Sequence, residues 1–171
     1  MTRIFARLAP AAVVAVLTLV AVLPWGLPPA SRFYLPLLPL TAIHYWALRR
    51  PEFCPEWLAF ASGLTVDVLS DGPLGFWALV YLACFALARI QANWGAVGPL
   101  GRWLAFLFAL LFIAGLEWML ASLIFRQLAD GRPFAIAGAA AGLGYPFLAA
   151  LMRALEGGHS ERENRNLVRG S

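Results

Sequence analysis

The sequence contains no lysine: all thirteen of its basic side chains are arginines. We read that as the composition of a GC-rich bacterial genome. Charge of either sign is scarce, with only 13% of residues charged, about half the share of an average globular chain. Cysteine is nearly absent too. Cys54 and Cys84 stand alone, without metal-ligand spacing and in different segments, which excludes a disulfide framework or a cysteine metal centre. Cys84 lies in an apolar run and reads as a small hydrophobe. Also missing are GxSxG, HExxH, a P-loop and an aspartate-rich phosphotransferase motif, so no enzyme, cofactor or metal is expected. No basic patch is interleaved with aromatics, so the net charge of +4 does not point to nucleic acid. Polar sequence of any length is confined to the tail, Glu156 to Ser171. No room remains for a separate soluble domain.

What is present is apolar. Hydrophobic residues make up 61% of the chain and the mean hydropathy is +0.74. A soluble fold of 171 residues could not hide that much apolar surface. Six apolar segments follow one another: 9–27, 33–48, 57–70, 74–90, 102–125 and 134–155. In lipid each backbone polar group must be satisfied internally, so these segments are expected to be helices. The expectation is an all-α integral membrane protein with about six spans over residues 1–155 and a frayed, solvated tail over 156–171. The first segment follows Arg3 and Arg7, as in a signal peptide, but exceeds a typical h-region and reads as a retained first helix. The second and third segments are short, and Pro36 and Pro39 predict a kink or local unwinding in the second. The third and fourth, separated by Asp71-Gly72-Pro73, form either a tight hairpin or a re-entrant pair.

Arginine placement sets an orientation. With the N-terminus in the cytoplasm and six crossings, the inner side holds Arg3, Arg7, Arg49, Arg50, Arg89, Arg102, Arg153, Arg162, Arg165 and Arg169. The outer side holds Arg32, Arg126 and Arg132. Both termini are therefore expected inside a bacterial inner membrane. Trp25, Phe33 and Tyr34 at the first outer loop, with Trp46, Trp57, Trp94 and Trp103 at the inner loops, suit the headgroup level.

Polar residues inside spans carry most information, because each is costly there and normally faces the bundle interior. Gly63, Asp67 and Asp71 are spaced four apart and are expected to share one helical face. Asp67 either caps the backbone around Gly72-Pro73, binds a partner or takes part in proton chemistry. Glu117 is expected to pair with Arg126 or Arg132, with the same alternatives open. His44 has no second ligand at metal spacing and reads as a hydrogen-bonded packing residue. In the last segment Gly138 and Gly142, with Gly144, form a small-residue surface of GxxxG type. It packs within the monomer, against a partner helix, or against a second copy as a homodimer.

One stretch goes beyond composition. Gly63, Leu64, Asp67, Pro73, Leu74 and Gly75 spell G-L-x-x-D-x-x-x-x-x-P-L-G across a helix, a turn and the next helix. That pattern resembles the MreD family of rod-shape-determining membrane proteins. A proline-containing segment, Pro36 to Trp46, followed by Arg49-Arg50-Pro51, is similar as well. The motif covers about a tenth of the chain, and the general layout most of it. The resemblance implies a non-enzymatic part of the machinery that builds lateral cell wall. Its implied partners are an MreC-like bitopic protein, with MreB, RodA and a partner transpeptidase in the wider complex. It also implies a compact bundle similar to the substrate-binding components of energy-coupling vitamin transporters, and that similarity supplies an alternative function. In the first reading Pro73, Leu74 and Gly75 fix the hairpin angle, flanked by Asp71 and Gly72. Asp67 then holds the turn or meets a partner near the outer face.

Overall fold

The structure, a computed structural model, describes residues 2–23, 26, 34–93, 98–126 and 130–169, with side chains over 10–23, 26, 34–52, 54–93, 98–124, 126 and 130–154. The roles expected of Trp25, Arg32, Phe33 and Trp94, and of the side chains of Arg3, Arg7, Arg162, Arg165 and Arg169, lie outside the described residues.

The described chain is all-helical. Its elements are α1 (Thr2–Val22), α2 (Leu37–Arg49), a 3-10 turn (Pro51–Phe53), α3 (Glu56–Leu69), α4 (Phe76–Ala92), α5 (Pro99–Phe125) and α6 (Arg132–Arg169). Each helix overlies one of the six apolar segments. The backbone stays helical to Arg169, beyond the point where the sequence reads as a frayed tail. Beyond Pro146 no proline interrupts α6.

The short helix α2 is the hub. It packs on α1, α4 and α6, and every residue from Pro39 to Ala47 is buried. A helix apolar on all sides belongs in a core. The expected local unwinding falls at Pro36, where Leu35 and Pro36 form a turn before the helix starts at Leu37, whereas Pro39 leaves the helix intact. Pro36 stands at the N-cap position, and Pro39 falls in the first turn, where the amide it lacks would have had no helical acceptor of its own geometry to strain. The Leu35 carbonyl, ahead of the cap, accepts from the Leu38 amide at 3.0 Å. The Tyr81 hydroxyl of α4 donates to the Pro36 carbonyl at 2.6 Å, tying the start of α2 to the core.

α3 and α4 pack on each other more extensively than any other pair of helices, and α5 pairs with both α4 and α6. The second proline effect lies in α6. Pro146 has no amide for the carbonyl of Gly142 four residues earlier. The Trp103 indole of α5 fills that vacancy, donating to Gly142 O at 2.9 Å.

Six crossings are expected from the sequence, but two of the described helices are long and apolar enough to cross a membrane. They are Pro99–Ile124 in α5, with mean hydropathy 2.2, and Arg132–Ala154 in α6, with 1.7. For α2, α3 and α4 the reason is length, and α1 is counted only over Pro10–Val22. α2 and α3 have 13 and 14 residues, so at 1.5 Å per residue they reach about 20 Å, short of a hydrocarbon core of about 30 Å. α4, with 17 residues, reaches about 26 Å.

Polarity is distributed against the soluble pattern. His44, Gln91, Asp67 and Glu117 are buried, while Leu111, Leu123, Leu143 and Phe147 are each at least 72% exposed.

Candidate functional site

The residues of the G-L-x-x-D…P-L-G pattern meet at the α3–α4 junction. Helix α3 stops because Pro73 disfavours helical backbone at Gly72. It ends with Asp71 in the left-handed region (φ 51°) and the Gly72 amide bonded to the Asp67 carbonyl at 3.2 Å, the Schellman closure. Asp71 therefore sits beyond the helix, exposed, and does not share a face with Gly63 and Asp67 as the spacing suggests.

Four amides precede the first helical bond of α4, Leu79 N–H to Gly75 O at 3.0 Å, and such amides need outside acceptors. Asp67 supplies three of them. Its Oδ2 accepts from Gly75 and Ala78 at 2.9 and 3.3 Å, and its Oδ1 from Trp77 at 2.8 Å. The Pro73 carbonyl takes the fourth, from Phe76, at 3.1 Å. The carboxylate is 1% exposed and sits at the positive end of the α4 dipole. One residue thus closes both helix ends, with its main-chain carbonyl on α3 and its side chain on α4.

Gly63 lets the helices come this close. A Cβ there would stand 2.5 Å from the Ala78 Cα and the Trp77 carbonyl oxygen. Gly75 begins α4 with φ 92°, which only glycine adopts at little cost. Leu64 and Leu74 take no part in the closure; they are 36% and 75% exposed. Of the alternatives open for Asp67, capping is the one the geometry supports. All the acceptor capacity engaged is aimed at main-chain amides, and the group is shut off from the surface.

The other candidates fall elsewhere. His44 in α2 bonds through Nε2 to the Gln91 Oε1 of α4 at 2.9 Å. Gln91 Nε2 donates in turn to the Ala105 carbonyl of α5 at 2.9 Å. With that amide orientation Nε2 carries the imidazole proton. The ring also makes edge contacts with Phe106 and Tyr145, at 5.1 and 5.9 Å between centroids, and those two rings stack at 4.0 Å. His44 is thus a packing residue that joins three helices. Gln91 is the part of this network that sequence reasoning missed. It sits 47 residues from His44, and its only signal is a lone amide at the end of an apolar segment.

Glu117 is buried in α5, and its Oε1 has no hydrogen-bond partner among the described residues. The expected pairing with Arg126 or Arg132 is not formed; both arginines are exposed. Arg126 closes α5 in the left-handed region (φ 51°), which turns the chain away there. The glycines of α6 divide as well. A Cβ on Gly142 would reach within 2.8 Å of Leu107 in α5, whereas at Gly138 and Gly144 it would meet nothing within 4 Å. Gly142 therefore packs within the monomer, and the three do not act as one contact surface inside it.

Among the described residues no three histidine, cysteine, aspartate or glutamate side chains gather where they could hold a metal ion. Cys54 and Cys84 are buried free thiols. Compared with known proteins, the chain matches no family model, no curated protein and no solved structure.

Proposed function

We propose that this chain is a multi-pass protein of the bacterial inner membrane, with both termini cytoplasmic. We further propose that it acts as an MreD-like scaffold in the machinery that elongates the cell wall, by holding an MreC-like bitopic protein. MreB, RodA and a partner transpeptidase complete the assembly in this reading. The six helices form the compact membrane bundle, over residues 1–155, that the resemblance implies. α2 lies inside it, and the shorter helices complete their crossing through flanking residues and local thinning of the bilayer.

Two features support the membrane. Large apolar side chains lie on the surface while the ionisable ones within the helices, His44, Asp67 and Glu117, turn inward, which is the arrangement favoured when hydrocarbon is the solvent. In addition, Arg49, Arg102 and Arg153, all assigned to the cytoplasmic side, come together around adjoining recesses at one end of the bundle.

The observation that carries the scaffold reading is the α3–α4 junction. The residues that carry the resemblance are a mechanical unit, closed by Asp67 and Gly63, that displays Leu64 and Leu74 outward. A rigid hairpin with apolar side chains on its outside is suited to holding a partner helix. Affinity purification of the chain from membranes tests the reading. A bitopic protein with a periplasmic β-rich domain is expected to co-purify, and depletion of the chain is expected to round the cells. Rod-shaped cells after complete depletion would refute it.

A further inference from the structure

A small cleft of about 50 Å³ opens between α2, α5 and α6, lined among others by Tyr45, Arg102, Trp103, Tyr145 and Arg153. A second recess shares Arg102 and adds Arg49. Pockets for whole small ligands are roughly 300–1,000 Å³, so the cleft has room for one small group and not for a whole ligand. Three arginines border the two recesses, and no carboxylate is among the lining residues described. Arg49 is positioned by its own helix. Its Nη1 donates to the Tyr45 hydroxyl at 2.8 Å, and its guanidinium lies 5.3 Å from the centre of that ring.

Two further features favour negative charge at the same place. Pro99, at the start of the 27-residue helix α5, lines the cleft, and that helix end has no side-chain cap. Its dipole and its uncapped amides attract anions. Tyr145 also lines the cleft. It is 3% exposed, yet its hydroxyl has no hydrogen-bond partner among the described residues. A buried, unpaired hydroxyl is costly, and a ligand oxygen would satisfy it.

We propose that this cleft binds a phosphate group, with Arg102 and Arg153 as its charged clamp, Tyr145 as a neutral donor and Arg49 as the outer cation. Guanidinium forks match phosphate oxygens in pairs. Basic pockets between membrane helices on the cytoplasmic side take anionic lipid headgroups. The membrane reading given above makes such a headgroup the available source, and soluble phosphate is the other. The site itself does not depend on the scaffold role.

The test uses the purified full chain in a neutral detergent, without partners, and reads lipid retention by native mass spectrometry. Phosphatidylglycerol is expected to bind at least about tenfold more tightly than phosphatidylcholine. Arg102→Gln is expected to lower that affinity about tenfold, the worth of one charge-assisted bond, and Tyr145→Phe severalfold. Arg89→Gln, which removes an equal charge from an exposed position in the last turn of α4, is expected to leave it unchanged. Added inorganic phosphate separates the sources. Competition at millimolar concentration supports a site for phosphate as such, and lack of competition supports a lipid headgroup. Equal binding of the two lipids, or equal effects of Arg102→Gln and Arg89→Gln, would overturn the proposal. If Arg102→Gln fails to fold, Tyr145→Phe decides alone, because it keeps the ring on Phe106; unchanged affinity in that variant also overturns it. Binding by the isolated chain is read separately from capture of a bitopic protein, so either result can fail without the other.

Discussion

Replacing Asp67 with alanine should loosen the whole α3–α4 hairpin. The substitution removes the acceptors of three amides, two of whose bonds are buried and one half-buried. A hydrogen bond to a charged group contributes about 1.5–3 kcal/mol, so the plain sum runs to about 4.5–9 kcal/mol. That is too much, because solvent can reach the Gly75 amide and single N-cap losses are about 0.5–2 kcal/mol. Removing one side of a buried, fully bonded charge costs about 3–5 kcal/mol, and we expect a loss in that range. For a chain of this size it corresponds to a fall in melting temperature on the order of 10 °C. Asp67→Asn is the sharper variant. It keeps an oxygen for Trp77 but presents an amide donor to Gly75 and Ala78, so it too should be destabilised. Thermal unfolding of the purified protein in detergent, followed by circular dichroism, measures both. If Asp67→Ala melts within about 2 °C of the parent chain, the capping account is wrong and the carboxylate serves something else.

Two further outcomes follow. Gly63→Ala should cost about 1–3 kcal/mol, because its Cβ meets backbone of α4 that cannot move aside; Gly138→Ala, with open space around it, should be neutral or gain up to about 1 kcal/mol. Thermal unfolding of the pair checks this, and equal behaviour would contradict it. Burial pushes the Cys54 thiol up to about 12, so at neutral pH almost none of it is the reactive thiolate; maleimide should label it only after denaturation, or as pH rises toward that value, and rapid labelling of the folded protein at pH 7 would refute the placement.

Much of this architecture is legible in the sequence, for identifiable reasons. Hydrophobic runs mark where helices lie, and Gly72-Pro73 marks where one must stop. The four-residue spacing from Gly63 to Asp67 puts both on one face, and the structure keeps them there. The same spacing fails at Asp71, since periodicity cannot foresee a left-handed closure two residues past the helix end. Pro39 misled for a related reason: a proline forbids helix only beyond the first turn, and its position in the turn depends on where the helix begins. For Glu117, proximity along the chain suggests a salt bridge with Arg126 or Arg132, but both arginines are exposed while the carboxyl is buried. The His44–Gln91–Ala105 chain and the arginine cleft were illegible, because both join residues from separate helices whose relative rotation no local pattern specifies.

Asp67 grips α4 entirely through peptide nitrogens, and this has a consequence for how the chain can change over time. Nothing in that grip depends on which side chains occupy positions 76 and 77. Substitutions there can accumulate while the joint survives, provided a carboxylate stays at 67, a bare α-carbon at 63 and at 75, and a small residue at 78 where the two backbones touch.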